Sequence, residues 1–512
     1  MGVRVAAIDS ETRWNSPDPG SQRMSDELDQ LVDVICSGRQ AVEGSPRTAL
    51  ASLFGSRFMK AREKDTQIRD AFGLAKSDGD DSVPYAGLIN PDNPPSGPYG
   101  GTSLVWFPAA TSSLIGFGVG TRGLSPDEGI LTRPGHRRRI AALRRYLARL
   151  GVEAWSKPDP AALGTLVPKV VTERFAEWDP AFRKYGAEMY CFARVPSNHD
   201  LARQTVQAFV DLYAYERGWK PLKAAEAEYS ALQGALRQDL FRHSTAADAN
   251  SLLRDRRFVI LQGPPGTGKT RLAEEIRRTF FDNRGMTVQF HPSITYEDFV
   301  IGLSPRTNEG SLQFVVRPGS LLESSMAAID APFLLVIDEI NRADLSKVLG
   351  EAIYLFEADE VGGKNARKVR LSHPFAGSTE FSLPPNLFVI ATMNTADRSI
   401  ATMDLAIRRR FAFVSVPPDR SVLERQGSEL ALRIFDRLTE VFVEHSPDDG
   451  MDLLPGHAYF LGKDDKALRQ RFRHELLPLL DDYLRQGILG AATSELFAVR
   501  DQIEDEVNHD AP

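Results

Sequence analysis

The second half of the chain alternates short apolar runs with stretches of helical period, beginning at Phe258. This pattern is typical of a parallel sheet that is covered by helices on both faces. Each predicted strand ends at polar residues, and open α/β sheets bind their ligands at the carboxyl ends of the strands. We therefore predict an α/β core over residues 251–416, with its functional site at these strand ends. The four predicted strands are FVILQG, TVQFHP, FLLVIDE and LFVIATMN.

The first half of the chain mixes helical and strand patterns. A helix is predicted at SDELDQLVDVICSG, where Leu28, Leu31, Val32 and Ile35 recur at helical spacing. A second helical run, TALASLFGSRFMKAREKDTQIRDAF, follows it. The segments SLVWFPA and SSLIGFGVG predict two strands around a turn. These patterns together predict an α+β region over residues 1–199.

Two further segments complete the predicted organisation of the first half. From Lys76 to Gly101 the chain is dense in Asp, Pro, Gly and Asn, which predicts a long loop. A strand-like piece, EMYCFARV, precedes a helical stretch that runs roughly from Asp200 to Gln238. We expect that stretch to form a helical linker, residues 200–250, which leads into the α/β core.

A basic helix is predicted between Arg133 and Leu150, in the run RPGHRRRIAALRRYLARL. The run carries seven arginines, and no Asp or Glu occurs between Glu128 and Glu153. Its apolar residues recur at helical spacing, so the arginines crowd the other side of the helix. Two interpretations stay open. The arginines of the Arg133–Arg149 helix contact a nucleic-acid backbone, or they form a solvated basic face or one that pairs with acidic residues elsewhere.

Composition and charge narrow the class of protein. The chain has 512 residues, of which 42% are hydrophobic and 26% charged, so globular domains are expected rather than disorder. Its net charge of −7 argues against a surface that binds nucleic acid over its whole extent, although a local basic face is compatible with it. The length leaves room for roughly three domains.

Cysteine usage and apolar content bear on the compartment. The two cysteines, Cys36 and Cys191, are far apart and have no partners at metal-ligand spacing, so neither a zinc site nor a disulfide framework is expected. The first residues lack the apolar core of a signal peptide, and Ala6 departs from the myristoylation pattern. No apolar run approaches the roughly 18 residues that a membrane span needs. We expect a cytoplasmic protein that does not bind membranes.

The run FVILQGPPGTGKT, which opens the α/β core, fits the phosphate-loop pattern G-x-x-x-x-G-K-[ST]. Glycines let the backbone wrap a phosphate, the helix N-terminus favours an anion, and the lysine supplies a positive charge. The hydroxyl of Thr270 is expected to bind Mg²⁺. This run predicts that the chain binds a nucleoside triphosphate. The predicted nucleotide-binding residues are Gly263, Pro264, Pro265, Gly266, Thr267, Gly268, Lys269 and Thr270.

Two carboxylates, Asp338 and Glu339, follow the apolar run FLLVI. A buried strand that delivers acid groups to a nucleotide site has this pattern. We predict that Asp338 holds Mg²⁺ directly or through water, and that Glu339 orients or deprotonates the water that attacks the γ-phosphate. The alternative is a buried strand that ends at a helix-capping Asp, which would explain one carboxylate but not two.

The next strand ends in MNTADRS, which carries Asn394 and Asp397. An uncharged polar side chain at this strand end can hydrogen-bond both the attacking water and a γ-phosphate oxygen. We predict that role for Asn394, with Asp397 as a helper. Both residues are also favoured at helix N-caps, and the two roles are compatible.

Three consecutive arginines occur in IRRRF, residues 407–411. They cannot all lie on one helix face, so at least one points away from its own domain. We predict that an arginine of this run reaches the γ-phosphate held by a neighbouring subunit, as an arginine finger does. The alternative is a basic helix end that is favoured by the helix dipole.

An insert between the last two strands, residues 361–385, predicts a β-hairpin from its VRL and EFSL segments. Four basic residues make its leading half positive, so in a ring the insert could face a central channel. They are Lys364, Arg367, Lys368 and Arg370.

Taken together, these motifs resemble an AAA+ P-loop NTPase, and in particular the McrB family, the motor subunit of modification-dependent restriction systems. The resemblance runs roughly from Leu252 to Leu484. It is carried by MNTADRS and by four longer runs, which are DEINRADLSKVLGEAIYLFE, FHPSITYEDFVIGLSP, LPGHAYF and HELLPLLDDYL.

The resemblance implies an AAA+ core with a parallel sheet and a small helical lid over residues 417–512. It also implies that the residues predicted above act as phosphate loop, as Mg²⁺ and water ligands and as a water-positioning pair. Arg409 and Arg410 become the candidates for the arginine that acts in trans. A lid arginine touches the γ-phosphate in many AAA+ relatives. Arg471 and Arg473 are the candidates here, and no motif chooses between them.

The same resemblance implies a homo-hexameric ring and a McrC-like nuclease subunit that activates hydrolysis. The nucleotide is ATP or GTP, since AAA+ proteins generally use ATP and the McrB motor is known for GTP. Residues 1–250 do not match the DNA-reading module of the family. The expected routes for binding DNA are the Arg133–Arg149 helix of this region or the ring pore. Two other functions stay open: an ATP-driven remodelling chaperone acting on proteins, and a nucleotide-gated sensor assembly.

Overall fold

The computed structural model places the described residues in two compact units. Residues up to 131 and residues 143–234 form the first unit, and residues 132–142 and those from 235 onward form the second. Within the described residues, no helix is long and apolar enough to cross a membrane. The described residues are 26–72, 83–89, 100–121, 128–162, 164–241, 243–308, 311–363, 366–396, 405–487 and 489–508.

The first unit contains a six-stranded sheet. Its strands are β1 (Gln67–Asp70), β2 (Ala86–Ile89), β3 (Gly100–Pro108), β4 (Ser113–Thr121), β5 (Ala154–Ser156) and β6 (Met189–Arg194). The strand order is β1-β2-β3-β4-β6-β5, and every neighbouring pair is antiparallel. The β3–β4 hairpin confirms the two strands predicted from SLVWFPA and SSLIGFGVG, and β6 lies in the strand-like piece EMYCFARV.

Helices cover both faces of this sheet. The helices up to residue 240 are α1 (Glu27–Cys36), α2 (Ser45–Ser52), α3 (Glu128–Leu131), α4 (Pro134–Arg149), α5 (Lys169–Arg174), α6 (Asp179–Tyr185), α7 (His199–Glu216) and α8 (Lys223–Leu240). On one face, Phe209 of α7 packs with its ring centroid 5.1 Å from that of Phe117 on β4. On the other face, Phe175 and Phe182 each pack 5.2 Å from Phe192 on β6. Because Phe117 stands opposite Cys191 in the β4–β6 register, Phe117 and Phe192 point to opposite faces.

Helix α1 confirms the first helix predicted from the sequence. The four apolar residues at helical spacing are all buried. The helix begins with a capping box, in which Asp29 N donates to Asp26 Oδ1 at 2.8 Å and Asp26 N donates to Asp29 Oδ2 at 3.2 Å. These bonds satisfy backbone donors that the first helical turn leaves unpaired.

The second predicted helical run is α-helical only in its first part, and a 3₁₀ helix, Lys60–Asp65, follows later in the run. Helix α2 ends at Ser52, and residues 67–70 form strand β1 rather than a helix. The chain turns between them so that Phe54 and Phe58 pack against Trp219, at 5.5 and 5.8 Å between ring centroids. Tertiary packing of the aromatic rings therefore overrides the local helical propensity of this run.

Helix α7 is a core helix of the first unit, although residues 200–250 were expected to form a linker. Its Asp211 is buried and receives two hydrogen bonds from Arg57, Nε to Oδ1 at 2.7 Å and Nη2 to Oδ2 at 2.6 Å. The third arginine nitrogen, Nη1, donates to Glu228 Oε2 on α8 at 2.6 Å. The boundary between the units accordingly falls after residue 234 rather than at residue 199.

The second unit contains the predicted parallel sheet. Its strands are β7 (Phe258–Gly263), β8 (Gly285–Gln289), β11 (Phe333–Asp338), β14 (Leu387–Asn394) and β15 (Ala412–Ser415). They lie in the order β15-β7-β14-β11-β8, and each neighbouring pair is parallel. The four strands predicted from the apolar runs are confirmed. The strand next to both β7 and β11 is β14, so it separates the phosphate loop from the acidic residues.

Apolar side chains of alternate strand residues enter two different cores. The helices around the sheet are α9 (Ala246–Arg256), α10 (Lys269–Phe280), α11 (Tyr296–Phe299), α12 (Ser320–Ala327), α13 (Leu345–Leu349) and α14 (Leu405–Arg408). On β7, Val259 and Leu261 join a cluster with residues of α9 and α10. Phe258 and Ile260 join the opposite cluster, with residues of α12 and α13. The sheet is therefore buried on both faces, as its nearly continuous apolar strands predict.

The chain after residue 417 forms the helical domain that the resemblance implied. Its helices are α15 (Arg420–Gln426), α16 (Glu429–His445), α17 (Asp465–Arg471), α18 (Leu477–Gln486) and α19 (Thr493–Asn508). A π-helical turn, Phe472–Leu476, joins α17 to α18. The helices share one apolar cluster, in which Leu438, Phe460, Phe472 and Ile503 are fully buried.

Two β-hairpins project from the second unit. One pairs β12 (Val369–Phe375) with β13 (Ser378–Phe381) and confirms the predicted insert, and its Lys368 binds Glu380 at 2.9 Å. Lys364 lies outside the described residues. The other hairpin pairs β9 (Ile301–Asn308) with β10 (Ser311–Pro318) and was not predicted. Leu312 and Phe314 of β10 are each 64% exposed, so this hairpin lacks the buried face that makes a strand pattern recognisable.

Three arginines of helix α4 bind the C-terminal end of α16, within the second unit. Arg138 donates to four backbone carbonyl groups there, at 2.6 to 2.9 Å. Arg139 pairs with Glu444, and Arg137 pairs with Asp448. For these three arginines the interpretation as nucleic-acid contacts is wrong, because their guanidinium groups satisfy the carbonyls and acids at a helix end. The four carbonyl groups belong to Phe442, Val443, Ser446 and Pro447.

The buried pair predicts a large stability effect. Arg57→Ala leaves the carboxylate of Asp211, whose side chain is 0% exposed, without its partner. We expect a loss of roughly 3–5 kcal/mol in the first unit, measured as a lower unfolding temperature by calorimetry of the full chain. The control is Arg183→Ala, which removes an exposed pair with Asp179 and should cost under about 1 kcal/mol. Equal shifts for both variants would contradict the prediction.

Candidate nucleotide-hydrolysis site

The phosphate loop lies between β7 and α10, as predicted. Gly266 and Gly268 have left-handed backbones, with φ of 77° and 83°, which favours glycine at both positions. Lys269 is buried, and its Nζ donates to Gly263 O at 2.9 Å and to Pro264 O at 2.7 Å. Thr267 Oγ1 also donates to Pro264 O, at 3.1 Å. The side chains of the loop thus hold its backbone curved around the position of a phosphate.

Thr270 and Asp338 meet at the strand ends. Thr270 Oγ1 donates to Asp338 Oδ1 at 2.9 Å, although the two residues come from different strand–helix connections. A hydroxyl and a carboxylate are oxygen donors of the kind that Mg²⁺ prefers, and Mg²⁺ usually takes only one or two such side chains besides phosphates and water. Among the described residues, no group of three or more acidic, His or Cys side chains is placed to hold a metal.

Thr392 is a site residue that the sequence reasoning missed. It lies on β14, is buried, and its Oγ1 donates to Asp338 Oδ1 at 2.5 Å. The same hydroxyl accepts a hydrogen bond from Glu339 N at 2.9 Å. Because β14 runs between β7 and β11, one hydroxyl fixes both the side chain of Asp338 and the backbone of Glu339.

The backbone of Glu339 adopts a conformation that is rare for residues other than glycine. Its φ of 57° and ψ of 47° lie in the left-handed region, where side chains with a Cβ are strained. Residues held in such conformations cluster at functional sites, where the surrounding structure enforces them. The bond to Thr392 is one of these enforcing contacts, and the turn directs Glu339 away from the buried strand.

Three side chains hold the carboxylate of Glu339. Asn394 Nδ2 lies 3.4 Å from Oε1, Gln289 Nε2 lies 3.3 Å from Oε2, and Arg342 Nε lies 3.1 Å from Oε2. The structure therefore brings together Glu339 and Asn394, which were each predicted as site residues. Gln289 and Arg342 were not predicted, although Gln289 ends a recognised strand and Arg342 follows the acidic pair closely. Asp397 lies outside the described residues.

The arginines of the run IRRRF, which follows β14, differ in exposure. The side chain of Arg410 is 4% exposed, and its Nε lies 3.2 Å from Glu357 Oε1. It also donates to the carbonyl group of Ala406. The side chain of Arg409 is 67% exposed and lies 3.6 Å from the same carboxylate oxygen. Of the two predicted arginines, Arg409 is the one whose guanidinium faces solvent.

The comparisons with known proteins agree with this geometry. The profile of the AAA domain (dynein-related subfamily) matches residues 258–411, from the start of β7 to the end of the arginine run. The fold and the site define an AAA+ P-loop NTPase. The chain is 30% identical over 349 residues to the type IV methyl-directed restriction enzyme EcoKMcrB subunit of Escherichia coli K12, which covers 62% of this chain and 75% of that protein. The chain belongs to the McrB family.

Two further relatives cover shorter parts of the chain. The type II restriction enzyme BsuMI component YdiS of Bacillus subtilis is 27% identical over 189 residues, which are 30% of this chain and 55% of that protein. An uncharacterized protein of Staphylococcus saprophyticus is 30% identical over 172 residues, which are 33% of this chain and 59% of that protein. Two of the three relatives are thus named as components of restriction enzymes.

The shared hydroxyl predicts a defect in hydrolysis. Thr392→Val keeps the shape of the side chain but removes the donor to Asp338 and leaves Glu339 N unpaired. We expect hydrolysis to fall roughly 10- to 100-fold, the usual effect of removing a residue that orients a metal ligand. Nucleotide affinity, measured without metal, should stay within about threefold of the wild type. Thr392→Ser is the matched control and should retain activity, whereas full activity of Thr392→Val would contradict the assignment.

Proposed function

We propose that the protein is a ring-forming, Mg²⁺-dependent NTPase that drives the nuclease of a restriction or antiviral defence system. The observation that carries the proposal is the hydrogen-bonded set of Thr270, Asp338, Thr392 and Glu339 beside the phosphate loop. Membership of the McrB family and the names of the restriction-enzyme relatives support the cellular role. The hexameric ring and a McrC-like activating subunit are part of the proposal.

The residues of the site divide the work of hydrolysis. The loop N–H groups and Lys269 bind the phosphates, so Lys269 must exchange its bonds to the loop carbonyls for bonds to phosphate oxygens. Thr270 and Asp338 hold Mg²⁺, which when bound neutralises charge on the phosphates. Glu339 accepts the proton of the attacking water, and Asn394 orients that water.

Glu339 is engaged elsewhere in this structure. Its carboxylate faces Gln289, Arg342 and Asn394, so it must leave at least part of these contacts before it can bind the attacking water. We infer that the rearrangement accompanies binding of the nucleotide and assembly of the ring. This provides a reason why a subunit outside the ring would hydrolyse the nucleotide slowly.

Arg409 is the residue that we assign to the γ-phosphate of a neighbouring subunit. Its guanidinium is exposed, and its contact with Glu357 is long enough to exchange easily. Arg410, in contrast, is buried against the same glutamate, and we assign it to holding the turn before β15. An arginine supplied by a second subunit stabilises charge that develops in the transition state and contributes roughly 10³- to 10⁵-fold to the rate in other systems.

The proposed function is tested by a hydrolysis assay on the purified chain. ATP and GTP are compared at equal concentration, with and without Mg²⁺, with and without DNA, and with and without a McrC-like nuclease subunit. We expect Mg²⁺-dependent hydrolysis that the nuclease subunit stimulates. Absence of hydrolysis in every combination would overturn the proposal.

Mixed rings test the assignment of Arg409. Glu339→Gln should bind nucleotide normally and lose roughly 10²- to 10⁴-fold in hydrolysis, and Arg409→Ala should also be inactive. When the two variants are mixed, some sites combine an intact Glu339 with an intact Arg409 from the neighbour. Hydrolysis should therefore return in the mixture. Arg410→Ala is the comparison variant in the same mixing experiment. If mixtures that still form rings show no recovery of hydrolysis, a trans role for Arg409 is contradicted.

A further inference from the structure

A segment of the helical lid lies directly on the phosphate loop. The segment, Gly456 to Tyr459, belongs to the run LPGHAYF that contributed to the family resemblance. Gly456 N donates to Pro265 O at 3.0 Å, and Ala458 N donates to Gly266 O at 3.0 Å. Two main-chain hydrogen bonds therefore join the lid segment to the middle of the loop.

The contact is too close to admit a side chain. A Cβ placed on Gly456 would lie 2.1 Å from the carbonyl carbon of Gly266. The ring of Tyr459 also packs on the loop, 3.1 Å from the position that a Cβ on Gly266 would take. The phosphate loop is thus held from outside by the lid segment as well as from inside by Lys269.

The imidazole of His457 points toward the start of helix α10. Its Nε2 lies 3.7 Å from the position of a Cβ on Gly268, the N-cap residue of that helix. Its Nδ1 accepts a hydrogen bond from Asp419 N at 3.1 Å, which leaves the proton of the neutral ring on Nε2. Burial lowers the pKa of His457, which favours this neutral form. A hydrogen-bond donor of the lid therefore stands at the helix end where phosphate oxygens bind.

Arg471 holds the lid segment through backbone carbonyl groups. Its Nη1 donates to Ala458 O at 3.2 Å and also to the carbonyl group of Leu461. Arg473, two residues later, instead binds the end of α19, at 3.3 Å from Val507 O and 3.2 Å from Asn508 Oδ1. The two lid arginines suggested by the resemblance thus have different roles, and Arg471 is the one linked to the phosphate loop.

We propose that His457 is a nucleotide-contacting residue of the lid, which donates its Nε2–H to a phosphate oxygen of the bound nucleotide, and that Arg471 positions it. The proposal rests on the proposed NTPase function and assigns a residue to the part of the site that the lid supplies. It makes the lid segment a sensor of the phosphates, because Gly456 and Ala458 bind the loop while His457 contacts the ligand.

Two amide substitutions of His457 distinguish a contact with the nucleotide from a structural role. In His457→Gln the amide nitrogen reaches the position of Nε2, whereas in His457→Asn the shorter amide keeps only the acceptor for Asp419 N. With mant-ADP and mant-GDP as probes, we expect His457→Asn to weaken binding at least roughly tenfold, the effect of losing a hydrogen bond to a charged group. His457→Gln should stay within about threefold of wild type. Wild-type affinity of a folded Asn variant would overturn the proposal.

A measurement on the wild type needs no variant. Diethylpyrocarbonate modification, mapped by mass spectrometry, should become slower at His457 when mant-ADP is added. His474, which is exposed on the same lid, is the control and should react at an unchanged rate. Equal reactivity of His457 with and without bound nucleotide would count against the contact.

The two arginines provide the test of positioning. Arg471→Ala should weaken mant-ADP binding roughly three- to tenfold, and Arg473→Ala should leave it unchanged. If Arg471 acts through His457, the double variant Arg471→Ala, His457→Asn should bind no more weakly than His457→Asn alone. Additive losses would assign Arg471 a separate role.

Failure of this inference is distinguishable from failure of the proposed function. Lys269→Ala is expected to abolish binding of both probes in any P-loop NTPase. If wild type binds neither probe, the proposed function fails. If wild type binds, Lys269→Ala does not, and His457→Asn matches wild type, only the role of His457 is overturned.

Discussion

The site depends on one buried hydroxyl group, that of Thr392. The phosphate loop and the acidic pair follow β7 and β11, which do not touch, and β14 stands between them. From β14, Thr392 holds both the side chain of Asp338 and the backbone of Glu339 at the end of β11. Asp338 also accepts a hydrogen bond from Thr270, which follows β7, and this bond spans the gap. Because the hydroxyl of Thr392 is both donor and acceptor, no apolar residue can replace it. The arrangement of the other polar groups follows from this link.

The lid adds a second constraint on the same loop. On the proposed function, the inner bonds of Lys269 are exchanged when phosphate binds, whereas the outer bonds from Gly456 and Ala458 involve only backbone groups and need not change. A displacement of the loop would then be passed to the lid helices through the segment that Arg471 anchors. The proposed function therefore implies that occupation of the nucleotide site is coupled to the orientation of the lid.

The sequence was sufficient for the features that repeat locally. The strands, the phosphate-loop motif and the acidic pair each lie in consecutive residues, and the structure confirms the strands. It was not sufficient for Thr392, whose role arises only from strand order, since its neighbours in space are far away in the chain. Residues 200–250 were assigned to a linker for a similar reason, since contacts that place α7 in the core, such as that of Arg57 with Asp211, come from far away in the chain. The β9–β10 hairpin, with Phe314 exposed, carries no buried pattern to detect.

The three arginines at the start of α4 change where the first unit can be separated from the second. Arg138 closes the open end of α16, so residues 132–142 belong with the second unit although they are encoded inside the N-terminal half. A chimera that replaced everything before residue 235 would strip the lid of this cation and leave several carbonyl groups bare. Grafting a different first unit onto the second would therefore require an internal eleven-residue segment to stay behind.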